Sequence, residues 1–445
     1  MARIFQAKKK SPLNTKHFEI TVEKLDAHGA GIAYHNRKPV FIEGALPRER
    51  VLIQLVEQKS KYARATLIKV LEPSDKRIAP FCPHYAQCGG CNMQHLNVQD
   101  QIEYKSQALS GLFKKFAKQE LPLSTPVADS QPDYRRRARF SVFWDKKRAQ
   151  LSFGFRKKNS KQIVDIDQCP ILDSGLNQLM VPLQQTLRGF QHPDRLGHVE
   201  LVRGDNAAII LVRTIKLLGD SDRNALESLC RGLAVTLYLQ QADQALEHVL
   251  GEPGYYQEVG VQIPFEPVNF IQVNKGVNQQ MVAQALDWLA LESSDRVLDL
   301  FCGLGNFSLP IAKQVDSVVG VEGVQIMVDK AQDNAKRNQL SNVEFYQANL
   351  EQDVSTKPWA AKQFTKVLLD PARAGATGII DHIAKLGVER VVYVSCNPAT
   401  LARDSQSLLA QGYTMTRLGM LDMFPHTSHL ESMALFEKTA NSKNK

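Results

Sequence analysis

A chain of 445 residues is longer than one ordinary hydrophobic core organises, so about two or three domains are expected. Its 43% hydrophobic and 23% charged content is that of a soluble globular protein, and no apolar run reaches the length of a bilayer span. The formal charge of +9 leans toward a polyanionic partner, and seven cysteines, an odd number, argue against a disulfide framework and for a reducing cytoplasm.

Residues 1–11 are basic but lack the apolar stretch of a secretory signal. From 18 to 71 the apolar positions alternate, as in Phe18-Glu19-Ile20-Thr21-Val22, and Gly29, Gly31, Gly44 and Pro47 mark turns. That pattern predicts a small all-β barrel of OB-like size. The composition shifts at 73–83, where a cysteine-rich loop opens, and a helix is expected over 98–116. Residues 125–169 carry eleven Lys and Arg against five Asp, a surface suited to phosphates. Tyr134, Phe140, Phe143, Trp144, Phe153 and Phe155 run through it and could stack on bases. Their alternation is that of a strand core, so most are expected to be buried. Strands at 199–202, 207–212 and 235–239 then mix with helices up to about 260.

The pattern changes from 270 onward. An amphipathic helix over 274–291 sets Met281, Ala285 and Leu289 on one face. Strands at 296–301, 318–321, 343–346, 366–369 and 390–394 alternate with helices, which predicts a doubly wound parallel sheet. An antiparallel pair at 415–420 and 432–436 closes it.

In such a sheet, ligands sit beyond the carboxyl ends of the strands. The first strand runs into Phe301-Cys302-Gly303-Leu304-Gly305-Asn306, a turn whose glycines admit a close ligand. Glu322 ends the next strand about 20 residues on, where a carboxylate meets ribose hydroxyls. A dinucleotide site is the rival, but the turn lacks the third glycine that admits a pyrophosphate. Asp299 within the motif would repel phosphate and attract a sulfonium or ammonium. These features favour a methyltransferase.

Asp370, in Leu369-Asp370-Pro371-Ala372-Arg373, ends the fourth strand, and Cys396, in Ser395-Cys396-Asn397-Pro398, ends the fifth. A thiolate adding to C6 of uracil makes C5 nucleophilic toward a methylsulfonium. The helix beginning near Pro398 is expected to favour that thiolate. Glu431 is the candidate base for the C5 proton, with His426 and His429 as rivals. An amino-methylating enzyme would carry an Asp/Asn-Pro-Pro-aromatic run, which Asp370-Pro371-Ala372-Arg373 is not.

Cys82, Cys88 and Cys91 form C-x5-C-x2-C, and Cys169 beside Pro170 is a fourth candidate ligand. Four thiolates suit zinc or a [4Fe–4S] cluster, and the single short knuckle leans toward iron–sulfur. Four cysteine ligands leave no open iron for radical chemistry, so the cluster reads as a structural clip. Cys230 and Cys302 read as packing residues.

Together these residues resemble the bacterial RNA uracil-C5 methyltransferases over almost the whole chain. The segments Gly29-Ala30-Gly31 and Gly44-Ala45-Leu46-Pro47 look like those of a TRAM barrel. The resemblance implies a [4Fe–4S] cluster on Cys82, Cys88, Cys91 and Cys169. It also implies S-adenosylmethionine held by Gln272, Phe301, Asn306, Glu322, Asn349 and Asp370, Cys396 as nucleophile and Glu431 as base. The family's transfer RNA member lacks the cluster and a ribosomal sibling lacks the barrel, so a chain with both points to 23S ribosomal RNA.

The implied fold class is multidomain. A TRAM (OB-like) barrel is expected over 12–72, and a central α/β domain with the cluster and a basic RNA-binding surface over 73–265. A Rossmann-like α/β methyltransferase domain that uses S-adenosylmethionine follows over 266–440. A cytoplasmic monomer is expected, with neither DNA nor membrane as partner. The alternatives are an RNA-binding ribosome assembly factor with an inactive methyltransferase domain, and a uracil-C5 methyltransferase acting on a different or additional RNA. Intact Cys396, Glu431 and Asp370 speak against the first.

Overall fold

A computed structural model describes residues 16–129, 131–242 and 244–438. The expected domain limits at 12 and 440, and the basic segment 1–11, fall outside the described residues. The chain divides into two units. One holds residues up to Tyr85, Cys91–Gln101 and Pro425–Ser428; the other holds Ala86–Gly90, Ile102–Phe424 and the chain from His429 onward.

In the first unit, strands β1 (Phe18–Thr21), β2 (Lys24–Leu25), β3 (Gly31–His35), β4 (Lys38–Ile42), β5 (Arg50–Gln58) and β6 (Ala63–Glu72) form one sheet, ordered β1-β5-β6-β4-β3-β2. Alternation decides which side chains turn inward: Val22, Ala33, Val40, Ile42, Val51, Ile53 and Leu55 make its core. A Cβ on Gly31 would stand 2.8 Å from Val22 and 2.9 Å from the Ala45 carbonyl, so only glycine lets these segments approach.

Helix α1 (Val98–Leu112) stops short of the expected 116. Phe113–Ala117 continues as a wider π turn, which lets both Phe113 and Ala117 point into the core beside Leu401 and Leu408.

The second unit holds two sheets. The central one comprises β7 (Arg137–Asp145), β8 (Gln150–Arg156), β9 (Ile163–Asp165), β10 (Leu196–Arg203), β11 (Ala208–Thr214), β12 (Thr236–Gln241) and β13 (Glu247–Leu250), ordered β13-β12-β11-β10-β7-β8-β9. Helices α2 (Ser174–Arg188) and α3 (Asp220–Gly232) cover one face through Leu176, Met180, Leu183, Leu226 and Cys230. Tyr134, Phe140 and Phe153 are buried as expected, whereas Phe143 is 58% exposed on the open face of β7. Strands β14 (Gly254–Glu258) and β15 (Val261–Phe265) form a hairpin.

The C-terminal sheet is ordered β18-β17-β16-β19-β20-β22-β21, from β16 (Arg296–Leu300), β17 (Ser317–Glu322), β18 (Val343–Gln347), β19 (Lys366–Leu369), β20 (Arg390–Ser395), β21 (Tyr413–Leu421) and β22 (Glu431–Lys438). The first five pair in parallel, and β22 runs antiparallel between β20 and β21. Helices α4 (Lys275–Leu289), α5 (Ser308–Ala312) and α6 (Gln325–Arg337) pack on one face, and α7 (Pro398–Ala410) with α1 on the other. Helix α4 is buried beyond the expected stripe, adding Val277, Val282 and Trp288. Among the described residues, no helix is long and apolar enough to cross a membrane.

The edge pair β8–β9 leaves no room for a side chain at Gly154. A Cβ there would sit 1.9 Å from the Val164 carbonyl oxygen, a backbone atom that cannot rotate away. Gly154→Ala is expected to cost about 1–3 kcal/mol through forced displacement of β9. A urea denaturation midpoint equal to the parent's would contradict this.

Candidate active site

The order reverses between β17 and β19 around β16, so the switch point of the sheet lies at the end of β16. Beyond Leu300 the backbone turns sharply, with positive φ at Phe301 (66°), Gly303 (55°) and Gly305 (94°). Phe301 is no glycine, and the N–H groups of Phe301 and Cys302, both donating to the Val321 carbonyl at 2.8 and 3.1 Å, hold it there. A Cβ on Gly303 would meet nothing within 4 Å, so open space stands over the turn. Glu322 closes β17 and accepts the Gly303 N–H at 3.2 Å and the Val324 N–H at 3.1 Å. A carboxylate fixed beside open space fits a nucleoside whose ribose hydroxyls need an acceptor.

Asp299 departs from expectation. It is fully buried beneath the turn, where the Ser308 hydroxyl at the start of α5 donates to it. Its Oδ2 thereby shapes the turn, while its Oδ1 is buried without a hydrogen-bond partner among the described residues. Burial, with Asp370 and Glu322 nearby, pushes its carboxyl up to about 7.

Gln272 and Asn306 are brought together by a network that sequence patterns do not reveal. The Tyr256 hydroxyl and Asn278 Nδ2 each donate to Asn306 Oδ1 at 3.2 Å, and Asn306 Nδ2 returns a bond to Asn278 Oδ1. Asn278 also donates to Glu258, whose carboxyl burial raises to about 7. Arg136 lies over the Tyr256 ring at 4.9 Å and donates to the Gln272 carbonyl at 2.7 Å. Asn349, just past β18, is exposed and accepts the Glu351 N–H at 3.0 Å.

The reacting groups converge through register. Ser395 on β20 pairs with Ser432 on β22, so one residue further Cys396 comes opposite Glu431. Asp370 follows β19 and donates its N–H to the Leu300 carbonyl at 3.3 Å, which sets it between the β16 turn and Cys396. Glu431 is only 5% exposed. Burial raises it to about 7, against the pull of Arg373 and Lys105. Burial, then Glu431, raises Asp370 to about 8.

Cys396 corrects a second expectation. Asn397 caps α7 by accepting the Ala399 N–H. Burial, then the charges of Glu431 and Asp370, push the Cys396 thiol up to about 11, with Arg373 only partly opposing. Of the rival bases, His429 is exposed with its ring against Phe424, and His426 meets Gln101 in the first unit.

The sequence profile described as tRNA (Uracil-5-)-methyltransferase matches residues 97–439, and that of the TRAM domain matches 14–68. The chain belongs to the tRNA (uracil-5-)-methyltransferase family. It is 61% identical over 439 residues, 99% of this chain and 100% of the relative, to "23S rRNA (uracil(1939)-C(5))-methyltransferase RlmD" of Vibrio parahaemolyticus. The protein of that name from Aliivibrio fischeri is 54% identical over 98% of this chain and 100% of its own. Among solved structures, the Pyrococcus abyssi tRNA (uracil-54, C5)-methyltransferase bound to S-adenosyl-L-homocysteine shares the fold. Its TM-score is 0.73 at 22% identity, covering 94% of this chain and all of that one.

In this family member Cys82, Cys88, Cys91 and Cys169 form no disulfide and are of intermediate exposure. The Gly90 N–H donates to Cys88 Sγ at 3.3 Å, the kind of bond that tunes a thiolate ligand. The Cys88 loop is pinned to the β8–β9 edge by Gly89 N–H to the Arg156 carbonyl and Lys158 N–H to the Gln87 carbonyl, both 2.9 Å. Among the described residues, however, no group of three or more His, Cys, Asp or Glu is gathered to hold a metal. The donor chemistry fits a cluster, and its assembly is not seen. Cys230 and Cys302 are buried, as expected of packing residues.

Two outcomes are expected from the charges at this mouth. Glu431→Gln removes an anion beside Cys396 and so lowers the thiol's pKa. Alkylation of Cys396 at mildly alkaline pH, followed by peptide mass spectrometry, should quicken on the order of several-fold. An unchanged or slower rate would refute the assigned electrostatics.

Asp370 titrates higher when folded than its ordinary value of 3.8. The stability it contributes is therefore complete below about pH 4 and lost as pH rises through about 8. Asp370→Asn should raise the ligand-free melting midpoint, relative to the parent, more at about pH 8.5 than at about pH 6. A pH-independent difference would overturn that.

Proposed function

We propose that the protein transfers a methyl group from S-adenosylmethionine to C5 of a specific uracil in 23S ribosomal RNA, through a covalent Cys396 adduct. The observation that carries this reading is the β20–β22 register, which sets Cys396 against Glu431 with Asp370 alongside. The names of the 23S ribosomal RNA relatives, at 61% and 54% identity, support the substrate.

In this reading Gln272, Phe301, Asn306, Glu322, Asn349 and Asp370 hold the methyl donor, with Glu322 on its ribose. S-adenosylmethionine supplies an electrophilic methyl on a sulfonium, whose positive charge suits a mouth lined by Asp370 and Glu431. The uracil leaves its stack to reach Cys396. Cys396 Sγ, its proton lost to solvent, bonds to C6, and the electrons of the C5–C6 double bond move into an enolate. C5 then takes the methyl group as the methyl–sulfur bond breaks, and S-adenosylhomocysteine leaves. Glu431 removes the C5 proton, the double bond re-forms, and the C6–S bond breaks to release Cys396. A Glu431 carboxyl held near 7 can both accept that proton and give it up at neutral pH.

The same reading divides the chain into a TRAM barrel (12–72), a central domain (73–265) and a methyltransferase domain (266–440), working as a cytoplasmic monomer. The barrel and the basic face bearing Arg139 and Phe143 grip the flanking strand by phosphate contacts and stacking. Cys82, Cys88, Cys91 and Cys169 hold a [4Fe–4S] cluster as a structural clip, for which a brown protein with visible absorbance is the check. A colourless protein that copurifies with zinc would turn that assignment to a zinc clip.

A ribosomal RNA fragment carrying 5-fluorouridine tests the chemistry, because fluorine cannot leave C5 as a proton does. With S-adenosylmethionine it should give a denaturant-stable protein–RNA band that vanishes in Cys396→Ala. A fragment that binds yet gives no band with the parent protein would sink the cysteine mechanism and favour an RNA-binding assembly factor.

A further inference from the structure

The chain reaches Glu431 through the strap 422–430 that joins β21 to β22, and this strap is anchored by buried polar groups on α1. In the second unit Lys105, 1% exposed, donates to Asp422 Oδ1 at 2.6 Å and to the Phe424 carbonyl at 3.1 Å. Asp422 is itself fully buried, and its backbone N–H donates to the Val127 carbonyl at 2.8 Å. One helical turn earlier, in the first unit, the buried Gln101 accepts the His426 N–H at 2.7 Å and meets His426 Nδ1 at 3.3 Å. Its Nε2 is steadied by the Leu96 carbonyl at 2.7 Å and the Met93 carbonyl at 3.1 Å.

His426 carries a positive φ of 65°, a conformation a non-glycine residue keeps only where its surroundings impose it. The N–H groups of Asn92 and Met93 both donate to its carbonyl, at 3.1 and 3.0 Å, and Asn92 Oδ1 accepts the Ser428 N–H at 2.9 Å.

A buried ion pair adds little net stability, because desolvation offsets the attraction. Placement accounts better for a lysine sealed at 1% exposure under a connector. What the connector places is Glu431, the first residue of β22, paired with Leu421 at the end of β21 immediately before Asp422. The Lys105 charge is also felt by the Glu431 carboxyl.

We propose that Lys105 and its partner Asp422 are positioning residues for proton abstraction, fixing the end of β21 so that Glu431 stands over C5 of the bound uracil. The inference rests on Glu431 being the base. Its test uses the full chain, S-adenosylmethionine and an ordinary uridine-containing ribosomal RNA fragment, with Glu431→Gln as reference. Lys105→Met combined with Asp422→Asn, and Lys105→Met combined with Asp422→Leu, each remove the ion pair whole and leave no charge stranded.

If the strap positions the base, adduct formation outlasts its resolution. Both variants should then accumulate a denaturant-stable methylated protein–RNA complex, as Glu431→Gln does. Their kcat should fall on the order of a hundredfold while kcat/KM for S-adenosylmethionine stays unchanged, because the slowed step follows methyl transfer. Folded variants that turn over at the parent rate, or lose activity without accumulating adduct, overturn the inference. Failure of Glu431→Gln itself to accumulate adduct overturns the base assignment and the inference with it.

Discussion

The insertion of β22 antiparallel between β20 and β21 is the constraint on which the rest of the site depends. Parallel strands alone would end in Asp370 and Cys396 with no partner entering from the opposite direction. Because β22 arrives head-on, its first residue lands where β20 runs out, and the Ser395–Ser432 pair brings Glu431 against Cys396. Side chains alternate across a strand, so a slip of one residue would turn Glu431 to the other face. The core enforces the register, since Met433 and Leu435 pack under α4 while Ala434 and Phe436 pack on the side of α7.

That convergence gathers acidic side chains at one mouth. Asp299, Asp370 and Glu431 each stand at about 7 or 8, and the Cys396 thiol at about 11, chiefly because burial penalises every charged form. Without a ligand the mouth is held close to neutrality. A positive sulfonium changes the balance, favouring ionised carboxylates where solvent cannot.

Two sets of buried polar contacts support this mouth from outside it. Behind Asn306, side chains from β14, α4 and the segment preceding β7 satisfy one another and fix Gln272 and Asn306 in place. Next to the β21–β22 pair that carries Glu431, α1 holds the start of the strap by Lys105. Buried polar groups of this kind specify one arrangement because leaving any of them unpaired is costly.

Legible along the chain were the main element types, the parallel alternation with its closing antiparallel pair, and the placement of Glu322, Asp370 and Cys396 at strand ends. Each of these follows from periodicity and from the rule that such sheets bind ligands at one edge, both local properties. The resemblance added Gln272, Asn306 and Asn349, which no spacing marks. Tertiary structure alone decided the burial of Asp299, the high thiol of Cys396, the π turn that ends α1, and the part played by Arg136, Tyr256, Glu258 and Asn278. Lys105 and Asp422 lie 317 residues apart in the chain, and Tyr256 and Asn306 lie 50 apart. Their chemistry depends on which groups the fold brings together and shields from water, and a one-dimensional pattern carries neither quantity.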